Sequence, residues 1–217
     1  MNELQVAEAL YPYEGIVVAT KGGLRRHDDL QRGDWPRDGR PEHLRAACEG
    51  SLRRLRVDRI DLYQLHRPDP KVPFAESIGA LRDLRDEGKI RHVGVSNVSL
   101  SQLEEARGIV EIASVQNEYN LGNRGSEDVF AACEQAGIAF LPWYPLDAGD
   151  LADAGGPVEA IARQRGATPA QIALAWLLQR SAVTIPIPGT SSLAHLEENM
   201  AAGGFELTDA ELDRLGR

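Results

Sequence analysis

Residues 15–21, "GIVVATK", set the reading of this chain. Ile16, Val17, Val18 and Ala19 follow one another without a polar break, between a glycine and a lysine. A run this short and this rich in β-branched residues reads as a strand buried on both faces. It ends on Lys21, whose ammonium must stay wet or paired. The same kind of run recurs as "IDLYQLH" (60–66), "RHVGVSN" (91–97), "ASVQNEYN" (113–120), "IAFLPWYP" (138–145) and "VTIPIPG" (183–189).

Amphipathic stretches fill the intervals. "PEHLRAACEGSLRRLRV" (41–57) carries Leu44, Ala47, Cys48, Leu52 and Leu55 at helical spacing. "FAESIGALRDLRDEG" (74–88) puts Ile78, Leu81 and Leu84 on one face and stops at Gly88. Ser99 with Gln102, Thr168 with Gln171 and Thr208 with Glu211 read as capping boxes, and Pro169 fits the first turn of its helix. A helix between successive strands makes those strands parallel, because a parallel crossover takes a dozen or more residues. The expectation is one α/β domain over residues 1–217, built of six strand–helix units, with long polar loops at 25–41 and 150–158.

Composition narrows the partners. The chain has 217 residues and a formal net charge of −9, which opposes binding to nucleic acid or an anionic membrane surface. No apolar run is long enough to span a bilayer, and the first residues do not read as a signal peptide. Cys48 and Cys133 both fall inside helical patterns and read as buried thiols, in keeping with a cytoplasmic protein. No Cys/His spacing suits a metal.

Polar residues gather at one end of the predicted strands. Lys21, His66, Ser96, Asn97, Gln116 and Trp143 stand at or near the C-terminal ends of five different runs. A site at that end suits both a (β/α)8 barrel and an open doubly wound sheet. Lys21 reads either as a snorkelling strand-end lysine or as a group that lowers a neighbour's pKa or forms a Schiff base. The amides of Asn97 and Gln116 suit a carboxamide ligand or ordinary turn capping. "IPGTSSLAHLEENMAA" is a strand, a Gly-Thr-Ser-Ser turn and a helix, with Ser191 or Ser192 as the cap; such a helix start holds a phosphate well.

Taken in order, "VVATKGGL", "LRVDRIDLYQLHRPDP", "LRDEGKIRHVGVSN", "SVQNEYNL", "LPWYPLDAGDL" and "IPIPGTSSLAHLEENMAA" resemble the aldo-keto reductases across almost the whole chain. The resemblance implies a (β/α)8 TIM-barrel type of fold and NAD(P)H-dependent reduction of small aldehydes or ketones. It implies NADP as cofactor, with NAD left open. By the same likeness Lys21 lowers the pKa of a proton-donating tyrosine, and His66 orients the substrate carbonyl. Ser96, Asn97 and Gln116 take the nicotinamide carboxamide, and Trp143 lies against its ring. Leu146 and Gly149 pass the pyrophosphate. Gly189, Thr190 and Ser191 take the adenosine phosphate, and Glu198 and Asn199 the adenine. One departure is that Gly189 and His195 stand where NADP-preferring members often carry lysine and arginine.

A second departure concerns the acid. The family places an Asp-Thr-Ala-x-x-Tyr-Gly segment, with the catalytic aspartate and tyrosine, directly before the stretch resembling "NELQVAEAL" (2–10). The expectation is therefore an N-terminally truncated barrel of about six units, impaired in turnover, with apolar edges at 15–21 and 183–189 that invite self-association. Tyr63 should face away from His66, and Tyr144 is the tyrosine near the expected nicotinamide. The alternative is a non-catalytic nucleotide-binding or regulatory member of the family.

Overall fold

The computed structural model describes residues 2–25, 35–146 and 156–216. It divides into two compact units, residues 1–115 and 116–217.

The first unit alternates helix and strand: α1 (Asn2–Leu10), β1 (Ala19–Gly22), α2 (Pro41–Leu55), β2 (Ile60–Leu65), α3 (Phe74–Asp86), β3 (Ile90–Ser96), α4 (Leu100–Ile109) and β4 (Ile112–Gln116), whose last residue opens the second unit. These strands lie side by side in chain order. β1 runs parallel to β2 and β2 to β3, with Lys21 opposite Gln64 and Gln64 opposite Gly94. The core holds most of the set the helical spacing picked out, while Ala47 and Leu52 are half-buried. Leu44, Cys48 and Leu55 of α2, Ile78, Leu81 and Leu84 of α3, and Ile60, Leu65, Val93 and Val95 of the sheet are all buried. Each such side chain contributes about 1.5–3 kcal/mol through burial. α4 starts on the Ser99–Gln102 capping box. Gly88, at φ 77°, ends the α3 turn as a left-handed residue.

β1 is shorter than the run that predicted it. It begins at Ala19, and Val17 is 73% exposed, so the apolar run does not lie in the ladder over its full length.

The second unit holds β5 (Ala139–Phe140) and the helices α5 (Glu127–Ala136), α6 (Pro157–Arg165), α7 (Pro169–Arg180), α8 (Leu193–Ala201) and α9 (Asp209–Arg214). Its centre is aromatic. Tyr119 stacks on Phe130 at 5.3 Å and on Trp176 at 5.9 Å, and Phe140 meets Phe130 edge-on. The Arg124 guanidinium lies 4.8 Å from the Trp176 ring and donates to the carbonyls of Leu215 and Gly216, which pins the end of α9. Thr168 with Gln171 and Thr208 with Glu211 form the two further capping boxes.

The run 183–189 differs from the expected sixth strand. It pairs with β5 at a single parallel bridge, Phe140 to Thr184, made by Phe140 N to Val183 O and Ile185 N to Phe140 O. Pro186 and Pro188 follow at once, and neither has an N–H to extend a ladder. No helix among the described residues is long and apolar enough to cross a membrane.

Candidate active site

In the first unit, strand alternation sorts the polar residues by face. Thr20 and Tyr63 point toward the helices. Thr20 Oγ1 donates to Glu3 Oε1 at 2.5 Å, and Arg54 Nε donates to Glu3 Oε2 at 2.6 Å. Burial pushes the Glu3 carboxyl up, but the bonds from Thr20, Ser51 and Arg54 outweigh it and hold the group below its usual range. Tyr63 is fully buried beside Gly22, its hydroxyl without a partner among the described residues. Burial drives its phenol far above the ordinary range, so it stays protonated and has no access to a substrate.

A cleft of about 520 Å³ opens along β1 beside α1 and α2; Lys21 and His66 line it together with Thr20, Glu3, Ser51 and Arg54. His66 N donates to Gly22 O at 2.8 Å, which ties the end of β2 to the end of β1. Asn97 sits at φ 59°, a left-handed geometry that asparagine tolerates better than most residues. This turn aims its Nδ2 at His66 O, 3.0 Å away, and at Ser96 Oγ, 2.9 Å away. Lys21, His66, Ser96 and Asn97 thus stand at the ends of three adjacent strands.

Beneath them is a pair that sequence reasoning missed. Gln64 and Ser114 are buried and bonded, Nε2 to Oγ at 3.0 Å. The bond passes over Gly94, where an added Cβ would lie 2.3 Å from Ser114 Oγ and 3.1 Å from Ser114 O. Gln64 Oε1 is buried without a partner among the described residues. The sequence signal was present in Gln64 itself, a carboxamide inside an apolar strand.

In the second unit, Gln116 and Asn117 are buried at the strand end. Trp143 N donates to Asn117 O at 3.0 Å, and the Trp143 ring meets that of Tyr144 edge-on at 5.9 Å. Asn120, also unremarked in the sequence, is fully buried. Its Oδ1 takes the amides of Gly122 and Asn123, and its Nδ2 donates to Tyr144 O at 2.9 Å. It thereby fixes Tyr144 in its left-handed turn.

A cleft of about 530 Å³ opens beside that turn. Its walls are Tyr144–Leu146, the first turn of α7, residues 187–190 and the α8 residues His195, Glu198 and Asn199. Six of the sequence-predicted residues therefore meet here: Leu146, Gly189, Thr190, His195, Glu198 and Asn199. Ser191 is exposed in the turn before α8 and is not among the lining residues. Ser192 is the cap, accepting from His195 N at 3.4 Å. Gln171 does double duty, accepting from Thr168 N and donating Nε2 to Glu198 O at 3.1 Å, which holds α8 against α7. Gly149 lies outside the described residues. No cluster of potential metal ligands occurs among the described residues.

The sequence matches the aldo/keto reductase family over residues 1–217. It is 47% identical over 220 residues to an uncharacterized oxidoreductase of Schizosaccharomyces pombe, covering 100% of this chain and 71% of that protein. It is 41% identical to pyridoxine 4-dehydrogenase of Escherichia coli, covering 97% of this chain and 74% of that one. Among solved structures it resembles an aldo-keto reductase of Klebsiella pneumoniae in complex with NADPH, with 30% identity, a TM-score of 0.82, and 99% and 74% of the two chains covered. The chain belongs to the aldo/keto reductase family, oxidoreductases of the (β/α)8 class.

Proposed function

We propose that the two units together serve as one reductase domain that binds NADP(H) and reduces a small aldehyde or ketone to the alcohol, in the cytoplasm. The observation that carries this reading is the second-unit cleft, which gathers Leu146, Gly189, Thr190, His195, Glu198 and Asn199. Its donor set fits an adenosine phosphate: a threonine hydroxyl and an imidazole for the phosphate, an amide and a carboxylate for the base, and apolar walls from Tyr144 to Leu146. Ser191 adds a hydroxyl at the rim, and Gly149 belongs to the pyrophosphate passage. The bound dinucleotide supplies a hydride. Asn97, held through Nδ2 to His66 O and Ser96 Oγ, takes the nicotinamide carboxamide alongside Ser96 and Gln116. Trp143 covers one face of the ring.

His66 orients the carbonyl oxygen, and Lys21 places a positive charge where negative charge develops. An alkoxide still needs a proton, and an acid in the right place contributes about 10²–10⁴ in rate. Tyr63 is fully buried behind Gly22 and is not among the residues lining the cleft that Lys21 and His66 share. We therefore propose that residues 1–217 by themselves bind the nucleotide but turn over slowly, and that the family's Asp-x-x-x-x-Tyr segment restores the rate. Exposed Ile16 and Val17 beside β1 favour self-association at high concentration.

The test compares NADPH oxidation with a reactive aldehyde for this chain and for one carrying that segment at its N-terminus. A rate that rises at least about 10²-fold only when the added tyrosine is present supports the reading. Equal rates refute the need for that acid. Nucleotide binding without turnover in either form favours a binding or regulatory role.

A further inference from the structure

We infer that a cavity between the starts of α2 and α3 holds an anionic group of the substrate, a carboxylate or phosphate carried at a distance from the reacting carbonyl, with Arg37 and Lys71 as its binding residues. The inference deepens the reductase reading and rests on it.

The cavity encloses about 530 Å³ in the first unit and shares no lining residue with the cleft at Lys21 and His66. It lies past the C-terminal ends of β1 and β2, where the chain leaves for α2 and α3. The segment 36–38 folds back onto the end of β1: Arg25 N donates to Pro36 O at 2.9 Å, and Asp38 N donates to Gly23 O at 3.0 Å. Arg37 then donates Nη1 to Pro68 O at 3.2 Å. Pro68 follows His66 by two residues, which span at most about 7 Å. The Arg37 guanidinium therefore stands within roughly 13 Å of the His66 Cα, at the same rim.

Two buried carboxylates build the walls and are used up in doing so. Asp38 is 4% exposed and takes Arg40 Nε at 2.9 Å and Nη2 at 2.8 Å, with Arg25 at 3.8 Å. The Arg40 bonds hold its carboxyl below the usual range. Asp69 takes the amides of Gly39 and Lys71, both at 3.0 Å. Ser77 Oγ donates to Gly39 O at 2.6 Å, and a Cβ on Gly39 would lie 2.7 Å from that hydroxyl. Loop and helix thus meet in a close-packed wall that leaves the cavity's shape little freedom.

The charges left over are cationic. Glu42 is paired with Arg40 at 3.1 Å. Arg37 has no carboxylate partner among the described residues, and its Nε and Nη2 donate to nothing there. The Lys71 ammonium likewise has no partner among the described residues. Glu76, exposed on the first turn of α3, is the one lining carboxylate that no cation or amide holds, and it keeps the affinity moderate. α2 and α3 both begin at this cavity without a side-chain cap, so their first amides and dipoles add to the two cations. A guanidinium fork and an ammonium together suit a carboxylate or a phosphate. A neutral carbonyl compound gains nothing from either. The pair thus selects a substrate by a charge remote from the bond that reacts, and such remote contacts serve to orient the reacting group.

The experiment measures affinity by calorimetry for the 217-residue chain saturated with NADP⁺, so that slow turnover does not hide binding. The probes are straight-chain ω-oxo acids of four to eight carbons, each beside its neutral methyl ester, and inorganic phosphate alone. The proteins are the natural chain, Arg37→Gln, Lys71→Gln and Lys71→Arg. Both residues are exposed, so the variants keep the fold, which circular dichroism checks. At the best chain length the acid is expected to bind roughly fivefold more tightly than its ester, the scale of an exposed ionic contact. That ratio falls toward one in each glutamine variant, persists in Lys71→Arg, and shrinks in high salt. A variant that merely loosens the fold weakens acid and ester together and leaves the ratio where it was. A ratio near one at every chain length in the natural chain, or one that survives in both glutamine variants, overturns the inference; reduction of the neutral esters by NADPH then leaves the reductase reading standing. Phosphate that binds and is lost in the variants, with no preference for acid over ester, makes the cavity a free-anion site and also overturns the substrate role. Failure of every acid and ester to bind overturns the reductase reading and this inference with it.

Discussion

Replacing Glu211 by glutamine tests how the last helix is held. Glu211 is 9% exposed, and its carboxylate is held by two residues, Arg165 and Thr208. Arg165 donates Nε and Nη2 to its two carboxylate oxygens at 2.7 and 2.5 Å, and Thr208 donates its backbone N–H and its hydroxyl, both at 2.8 Å. The Arg165 bonds first, and the Thr208 N–H after them, pull the carboxyl from 4.5 down to about 2. At about 1.4 kcal/mol per unit, that depression sets an upper bound of roughly 3 kcal/mol for the ionised form in the folded state. The Arg165 side chain is 35% exposed, so solvent screening reduces the net value to about 1–2 kcal/mol. The sign follows from a folded pKa that lies below the unfolded one. The stabilisation is complete above about pH 4.5 and disappears as the pH falls toward 2. Glu211→Gln should therefore lower unfolding free energy by about 1–2 kcal/mol at pH 7 and by less than half of that at pH 3. Urea titration followed by circular dichroism at the two pH values measures both. An equal loss at pH 3 and pH 7 would mean that the carboxylate's charge is not what holds the helix.

Two further outcomes follow from packing. Gly94→Ala should destabilise by about 1–3 kcal/mol, because its Cβ meets both the hydroxyl and the backbone carbonyl of Ser114 and cannot be relieved by a rotamer change alone; a melting temperature within 1 °C of the natural chain's, by differential scanning fluorimetry, would refute it. Burial pushes the Cys48 thiol up to about 11, so at pH 8 it should react with a disulfide reagent only after denaturation, and fast reaction in the folded protein would contradict its placement on the buried face of α2.

What the sequence disclosed, and what it hid, divides by distance along the chain. The capping boxes at Ser99, Thr168 and Thr208 were legible because both partners lie within one helical turn, where backbone geometry leaves little else for them to do. The buried faces of α2 and α3 were legible for the same reason, since a 3.6-residue period names its own core. The run 183–189 misled because its apolar pattern is that of a strand, while Pro186 and Pro188 remove the donors on which a ladder depends. Read for hydrogen-bond supply as well as hydropathy, it predicts one bridge and no more. Gln64 and Ser114 lie 50 residues apart and meet only because β3 comes between their strands with a glycine at the crossing point. No local rule contains that information, yet each member of the trio is odd where it stands: an amide, a hydroxyl and a glycine inside apolar strands. A polar residue in a buried strand must find a partner on another element, because leaving it unpaired costs about 1–3 kcal/mol. The sequence thus shows where a long-range contact must exist, and only the order of the strands shows with what.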